Sequence, residues 1–205
     1  MPALDVLLPL FAILVLSLSF HEAAHAWAAD RLGDSTARTL GRLTLNPLAH
    51  IDWIGTVLFP LIAIYSNFPL IGWAKPVPVN MRQLKSPRRD FAIVAAAGPA
   101  SNVVLAIGFT FLYAVLGGDL GIPTRMAQLI YLGVSLNVLL AVFNLLPVPP
   151  LDGGNVLAGL LPESLAQVID QLRPWGFLIL YALLFTGVLG QYVFPIAAEI
   201  TQWLI

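Results

Sequence analysis

The chain has 205 residues, of which 59% are hydrophobic and only 10% charged, and its mean hydropathy is +0.86. Such values lie far from a soluble domain and describe an all-α polytopic membrane protein, with room for about four transmembrane helices in one compact domain over residues 1–205. A formal charge of -1 leaves no basic face for nucleic acid, no nucleotide partner is expected, and zero cysteines exclude disulfides and thiolate metal ligands.

The first element is the uncharged stretch Val6 to Phe20, which runs directly into His21-Glu22-Ala23-Ala24-His25. Imidazoles at i and i+4 lie one helical turn apart on one face, so both can reach one Zn2+, and the intervening Glu can bind its water. On a soluble helix this pattern is often an ordinary polar face. At membrane depth an ionisable group facing lipid costs ~2.5 to 3.5 kcal/mol, so three adjacent polar groups call for something that coordinates them. Ala24-His25-Ala26 and Ala26-Trp27-Ala28 loosely resemble signal-peptide cleavage sites. The start Met-Pro-Ala-Leu-Asp has no positive region, however, and the apolar run is longer than a usual signal core, so the segment is expected to be retained.

His50 follows in Thr44-Leu-Asn-Pro-Leu-Ala-His-Ile-Asp52. It reads as an interfacial hydrogen-bonding residue, because a fourth protein ligand would close a metal site to water. Residues 54–73 carry no charge but are interrupted by Pro60, Asn67, Pro69 and Gly72-Trp73, so they either span or dip in and return. Charge favours return. A crossing splits Lys and Arg four against six, whereas a re-entrant path puts every one except Arg125 on one side, as the positive-inside rule prefers. The extended stretch Pro76-Val-Pro-Val-Asn80 is expected to offer an edge, with Val77 and Val79, on which an unwound peptide could pair as an added strand.

Further spans are predicted at Phe91 to Leu116, Arg125 to Leu146, and in the apolar segment from Trp175 towards Ile205, which is either one kinked span or a span plus an interfacial helix broken near Gly190 and Pro195. Both chain ends then lie outside and the basic loops in the cytoplasm. The span from Arg125 ends in Asn144-Leu-Leu-Pro-Val-Pro-Pro-Leu-Asp152-Gly153-Gly154. Prolines that cannot continue a helix, and glycines that permit positive φ, allow the chain to turn Asp152 inward as a third ligand; alone, such a loop is a membrane-edge turn. At 1.5 Å per residue His21 lies roughly 24 Å along the helix from Asp5, and Asn144 roughly 28 Å along from Arg125. The re-entrant topology thus brings both motifs to one level.

The chain resembles the site-2 protease family of intramembrane zinc metalloproteases, in a minimal form without appended soluble domains. The resemblance covers most of the chain and rests on the 21–25 and 144–154 motifs, on Gly98-Pro-Ala-Ser-Asn102 in the middle span, and on the 72–80 stretch. It implies a three-helix catalytic core in which His21, His25 and Asp152 bind one Zn2+ and Glu22 is the catalytic base. Three protein ligands leave a position where water is activated for attack on a peptide carbonyl. Asn144 is the candidate oxyanion donor, or else an interhelical hydrogen bond. Asn102, among small residues, is first a packing residue and secondarily a site residue. The implied substrate is a transmembrane protein that must be unwound, and the implied setting is the lipid bilayer of the cell membrane with the site towards the cytoplasm. Two other classes stand against this: a zinc-dependent membrane protein that binds or escorts a helix without cutting, which would not need Glu22, and a metal transporter, which would string ionisable groups along a path.

Overall fold

The computed structural model describes residues 4–59, 62, 73–117 and 124–205, all in helices, turns and extended connections with no strand. The α-helices are α1 (Leu4–Arg31), the short α2 (Thr36–Thr39), α3 (Pro87–Gly117), α4 (Thr124–Asn144), α5 (Asp152–Leu160), α6 (Glu163–Leu172), α7 (Gly176–Phe185) and α8 (Phe194–Leu204). Among the described residues, four helical runs are long and apolar enough to cross a membrane: Leu8–Arg31, Pro87–Leu116, Arg125–Asn144 and Glu163–Phe185. Helices answer the demand of hydrocarbon that every backbone polar group be satisfied within its own segment. This is an all-α polytopic membrane fold.

The central helix is α3, which packs against α1, α4 and α5. Its sequence makes that possible, because Ala92, Ala95, Gly98, Asn102 and Ala106 recur every three or four residues and are all buried. Small side chains let neighbouring backbones approach closely, which is what drives association where lipid removes the hydrophobic incentive. Towards one end Val94 packs with Ala28 and Ala29 of α1; towards the other, Ala106 meets Val134 and Val138 of α4 and Ala197 of α8. The helices α1, α3 and α4 form the three-helix core.

The fourth apolar run differs from the expected segment beginning at Trp175. It begins at Glu163, continues through a 3-10 turn at Arg173–Trp175, and ends with α7, whose Phe177, Leu178 and Phe185 face outwards. The break comes at Gly187, with φ +78°, ahead of Gly190 and Pro195. Glycine adopts this left-handed conformation without a Cβ penalty, whereas Pro195 sits in the first turn of α8, where a missing N–H costs nothing. After a π-helical turn at Leu189–Val193, α8 packs on α4.

Most of the 54–73 segment, positions 60, 61 and 63–72, lies outside the described residues. Its two ends are described and meet: Trp73 N–H donates to Gly55 O at 3.2 Å, and the Thr56 hydroxyl donates to Trp73 O at 2.8 Å. One crossing would have separated these ends by the thickness of the membrane.

From Trp73 to Asn80 the chain has no regular structure and is fastened along its length. Lys75 N–H donates to His50 O at 2.9 Å, Arg42 donates to Lys75 O, and Asn80 N–H donates to Asp34 Oδ2 at 2.6 Å. Pro76 and Pro78 have no N–H to offer a sheet, so carboxylate, guanidinium and carbonyl groups hold the strap instead. Asp34 is fully buried and also accepts from the Thr36 N–H and hydroxyl, so its charge is well compensated.

Candidate metal centre

The helical period places His21 and His25 on the same face of α1, their rings 4.7 Å apart and nearly perpendicular. Both are buried, at 5% and 9% exposure, so neither can rely on bulk water. Asp152 is the first residue of α5, brought to them by the loop that follows α4. Its Oδ2 lies 3.1 Å from His21 Nε2 and 3.4 Å from His25 Nε2. One ligand atom from each residue falls within 4.8 Å of the others, a spacing that can hold a single metal ion.

The loop works differently from its expected role. Gly153 and Gly154 lie inside α5 rather than in a positive-φ turn, and a Cβ on Gly153 would strike Leu145 O and Leu146 O while one on Gly154 would meet Val148 and Pro149. The glycines therefore serve close approach, which lets the start of α5 fold back against the end of α4 and aim Asp152 at α1.

The outer nitrogens of both imidazoles are tied to α3. His25 Nδ1 donates to Val94 O at 2.7 Å; a carbonyl can only accept, so a proton sits on Nδ1 and Nε2 is the nitrogen left to serve as a ligand. His21 Nδ1 is bonded to Asn102 Oδ1 at 2.6 Å, with the same consequence. Both Nε2 atoms face Asp152 Oδ2, a buried oxygen with no hydrogen-bond partner. Two neutral nitrogens and one ionised oxygen are a donor set suited to a divalent ion. Gly98 keeps the space clear, since a Cβ there would collide with both imidazoles.

Glu22 is buried at 9% exposure beside this cluster, and its Oε2 accepts from Val77 N–H at 2.9 Å. The strap therefore touches the carboxylate through its backbone. Val79 is half-buried and packs against Ala28, Ala29 and Val94. The Val77 N–H is thus engaged by Glu22 and is not itself open to pair with a peptide.

Asn102, read from sequence mainly as a packing residue, is in direct contact with His21. Asn144 is half-buried and donates from Nδ2 to Leu140 O of its own helix at 3.0 Å. His50 is buried, hydrogen-bonded through Nε2 to Thr44 O at 2.8 Å, and stands apart from the metal-ligand group. Sequence reasoning missed Val94 O, the Val77 amide and Asn137, which meets Asn102 from α4. The first two are backbone groups and carry no sequence signal; Asn137 could have been found as a lone amide in an otherwise apolar span.

Fold and site together define a membrane-embedded protein with a buried, metal-competent His-Glu-x-x-His and Asp cluster. Residues 116–186 match the family described as Peptidase family M50. The chain is 41% identical over 193 residues to "Putative zinc metalloprotease YwhC" of Bacillus subtilis (strain 168), covering 91% of this chain and 84% of that protein. It is 34% identical over 192 residues to "Putative zinc metalloprotease Rip2" of Mycolicibacterium smegmatis, covering 92% of this chain and 70% of the relative. No solved structure is significantly similar to the chain. The protein belongs to Peptidase family M50.

Proposed function

We propose that this protein is an intramembrane zinc endopeptidase that cuts peptide bonds in or near transmembrane segments, with His21, His25 and Asp152 holding one zinc ion and Glu22 as general base. The observation that carries the reading is the convergence of two imidazole Nε2 atoms, each with its tautomer fixed from behind, on the unpartnered Asp152 Oδ2. The names of the relatives support zinc as the metal. When bound, zinc acts as a Lewis acid and lowers the pKa of a water to about 7. Glu22 would take the proton of the attacking water on its carboxylate, while the Val77 N–H, bonded to Oε2, fixes the direction of the group. The same carboxylate then gives the proton to the leaving amine. Asn144 is the proposed donor to the oxyanion, for which its amide turns away from Leu140 O.

A helical substrate hides its amides in its own hydrogen bonds, so it must unwind before a carbonyl is attacked, and segments that unwind easily should be preferred. The location we infer is the cell membrane with the centre towards the cytoplasm. It is supported by the nine of ten basic residues that a re-entrant 54–73 puts on one side, and by the meeting of that segment's ends at Gly55 and Trp73.

The test measures zinc content together with cleavage of a single-span substrate in detergent. Glu22→Gln should retain zinc and lose activity by ~10²- to 10⁴-fold, the range general-base catalysis supplies. Asp152→Ala should lose the metal. Stoichiometric zinc in the native protein, with no cleavage across a broad panel of single-span substrates, would leave a binding or escort protein as the better reading.

A further inference from the structure

Three polar residues that the proposed chemistry does not use are buried together among the core helices. Ser17 of α1, Asn102 of α3 and Asn137 of α4 are at most 1% exposed, and Asn102 alone of these touches a candidate ligand. Buried amides in a membrane core are expensive unless paired, and here every pairing is directional.

The chain of directions starts at a backbone carbonyl. Gly133 O can only accept, so the Asn137 group facing it at 2.9 Å is the amide nitrogen, which also donates to Ser17 Oγ at 3.0 Å. The Asn137 oxygen is thereby turned towards Asn102 and accepts from its Nδ2 at 3.0 Å. Ser17 O, another obligate acceptor, lies 3.4 Å from the same nitrogen and enforces the same orientation. Asn102 is left with its oxygen facing His21, which can satisfy it only by carrying its proton on Nδ1.

We infer that Asn137 is a positioning residue: through Asn102 it holds a proton on Nδ1 of His21, so that in the neutral ring Nε2 carries the lone pair presented to the metal site. The inference rests on the reading of His21 as a ligand, but its test does not depend on cleavage. His25 obtains the same tautomer from Val94 O with no side chain between, and therefore serves as an internal control. Ligand-orienting partners of this kind typically change metal affinity by 10- to 100-fold when removed.

The chain has three histidines, so nitrogen NMR of protein labelled with 15N-histidine, in detergent and metal-free at a pH where the rings are neutral, resolves each tautomer. The native protein should show His21 as Nδ1–H. In Asn137→Leu, which removes the amide and keeps the same branched skeleton of heavy atoms, His21 should become a mixture of tautomers while His25 stays Nδ1–H, and zinc affinity should fall 10- to 100-fold. If Asn137→Leu does not fold, Asn137→Ser takes its place, its hydroxyl reaching only the carbonyl of its own helix. An Nε2–H tautomer for His21 in the native protein, or an unchanged single Nδ1–H tautomer in the folded variant, overturns the inference and leaves Asn137 as interhelical packing. A native protein that shows the expected tautomers but never cleaves a substrate would count against the protease reading alone.

Discussion

Replacing Gly98 by alanine should separate metal binding from folding. In an ordinary helix interior the change stabilises by ~1 kcal/mol, because glycine gives up more backbone freedom than alanine. At Gly98 the new Cβ would lie 2.5 Å from His25 Cε1 and 2.6 Å from His21 Nε2, against ordinary contacts that begin near 3.4 Å. One or both rings must therefore retreat by about 0.9 Å, several times the ~0.2 Å tolerance of a metal-ligand distance. They cannot swing aside freely, because both Nδ1 atoms are tied to groups on α3, the helix that carries the new methyl. We expect the metal-free protein to unfold at a temperature no more than a few degrees below the native one, and zinc affinity to fall by ~100-fold or more, which is ~2.8 kcal/mol. Competition with a chromophoric chelator gives the affinity, and thermal unfolding of the metal-free form gives the stability. An affinity within threefold of the native value would show that the imidazoles do not occupy the space Gly98 keeps open, and the geometry argued for the centre would be wrong.

Val77→Pro should remove the one backbone donor to Glu22 while keeping the strap extended, lowering kcat with little change in zinc content; a kcat equal to that of the native protein would show the contact to be incidental. Zinc should be released as pH falls, because each imidazole loses its lone pair on protonation. Equilibrium dialysis from pH 8 to pH 5 tests this, and full retention at pH 5 would argue against two histidine ligands. Asp34→Ala should leave the Asn80 and Thr36 amides without their buried acceptor and destabilise the protein by ~2 to 3 kcal/mol, read as a lower unfolding temperature and earlier proteolysis between Trp73 and Asn80; an unchanged unfolding temperature would show that the strap does not depend on this anchor.

Much of the centre was legible in the chain because its signals are local or compositional. The i, i+4 spacing of His21 and His25 fixes a shared helix face wherever the helix sits, and an apolar sequence interrupted by such groups demands something to compensate them. The prolines and glycines around Asp152 marked a place where α4 had to stop and the chain turn. Helix number followed from runs of hydrophobic residues, which is why α1, α3 and α4 lie close to where they were expected, while the arrangement of the last segment stayed open: hydropathy does not say at which residue a helix starts or ends, and the run begins at Glu163 and breaks at Gly187.

The tertiary structure decided everything that depends on what faces what across the bundle. It joined Asn102 to His21, gave His25 the carbonyl of Val94, and laid the amide of Val77 on Glu22, contacts that link residues 55 to 81 positions apart. It also showed that Gly98, Gly153 and Gly154 matter for the atoms they lack, since only packed neighbours reveal what a Cβ would strike. The sequence by itself determined that two imidazoles and a carboxylate lie within a membrane-embedded helical protein, because periodicity and hydropathy are properties of the chain. Which nitrogen of each imidazole is free to bind was decided only by packing, because a tautomer is set by the hydrogen bond made on the far side of the ring, and here the partner always comes from another helix.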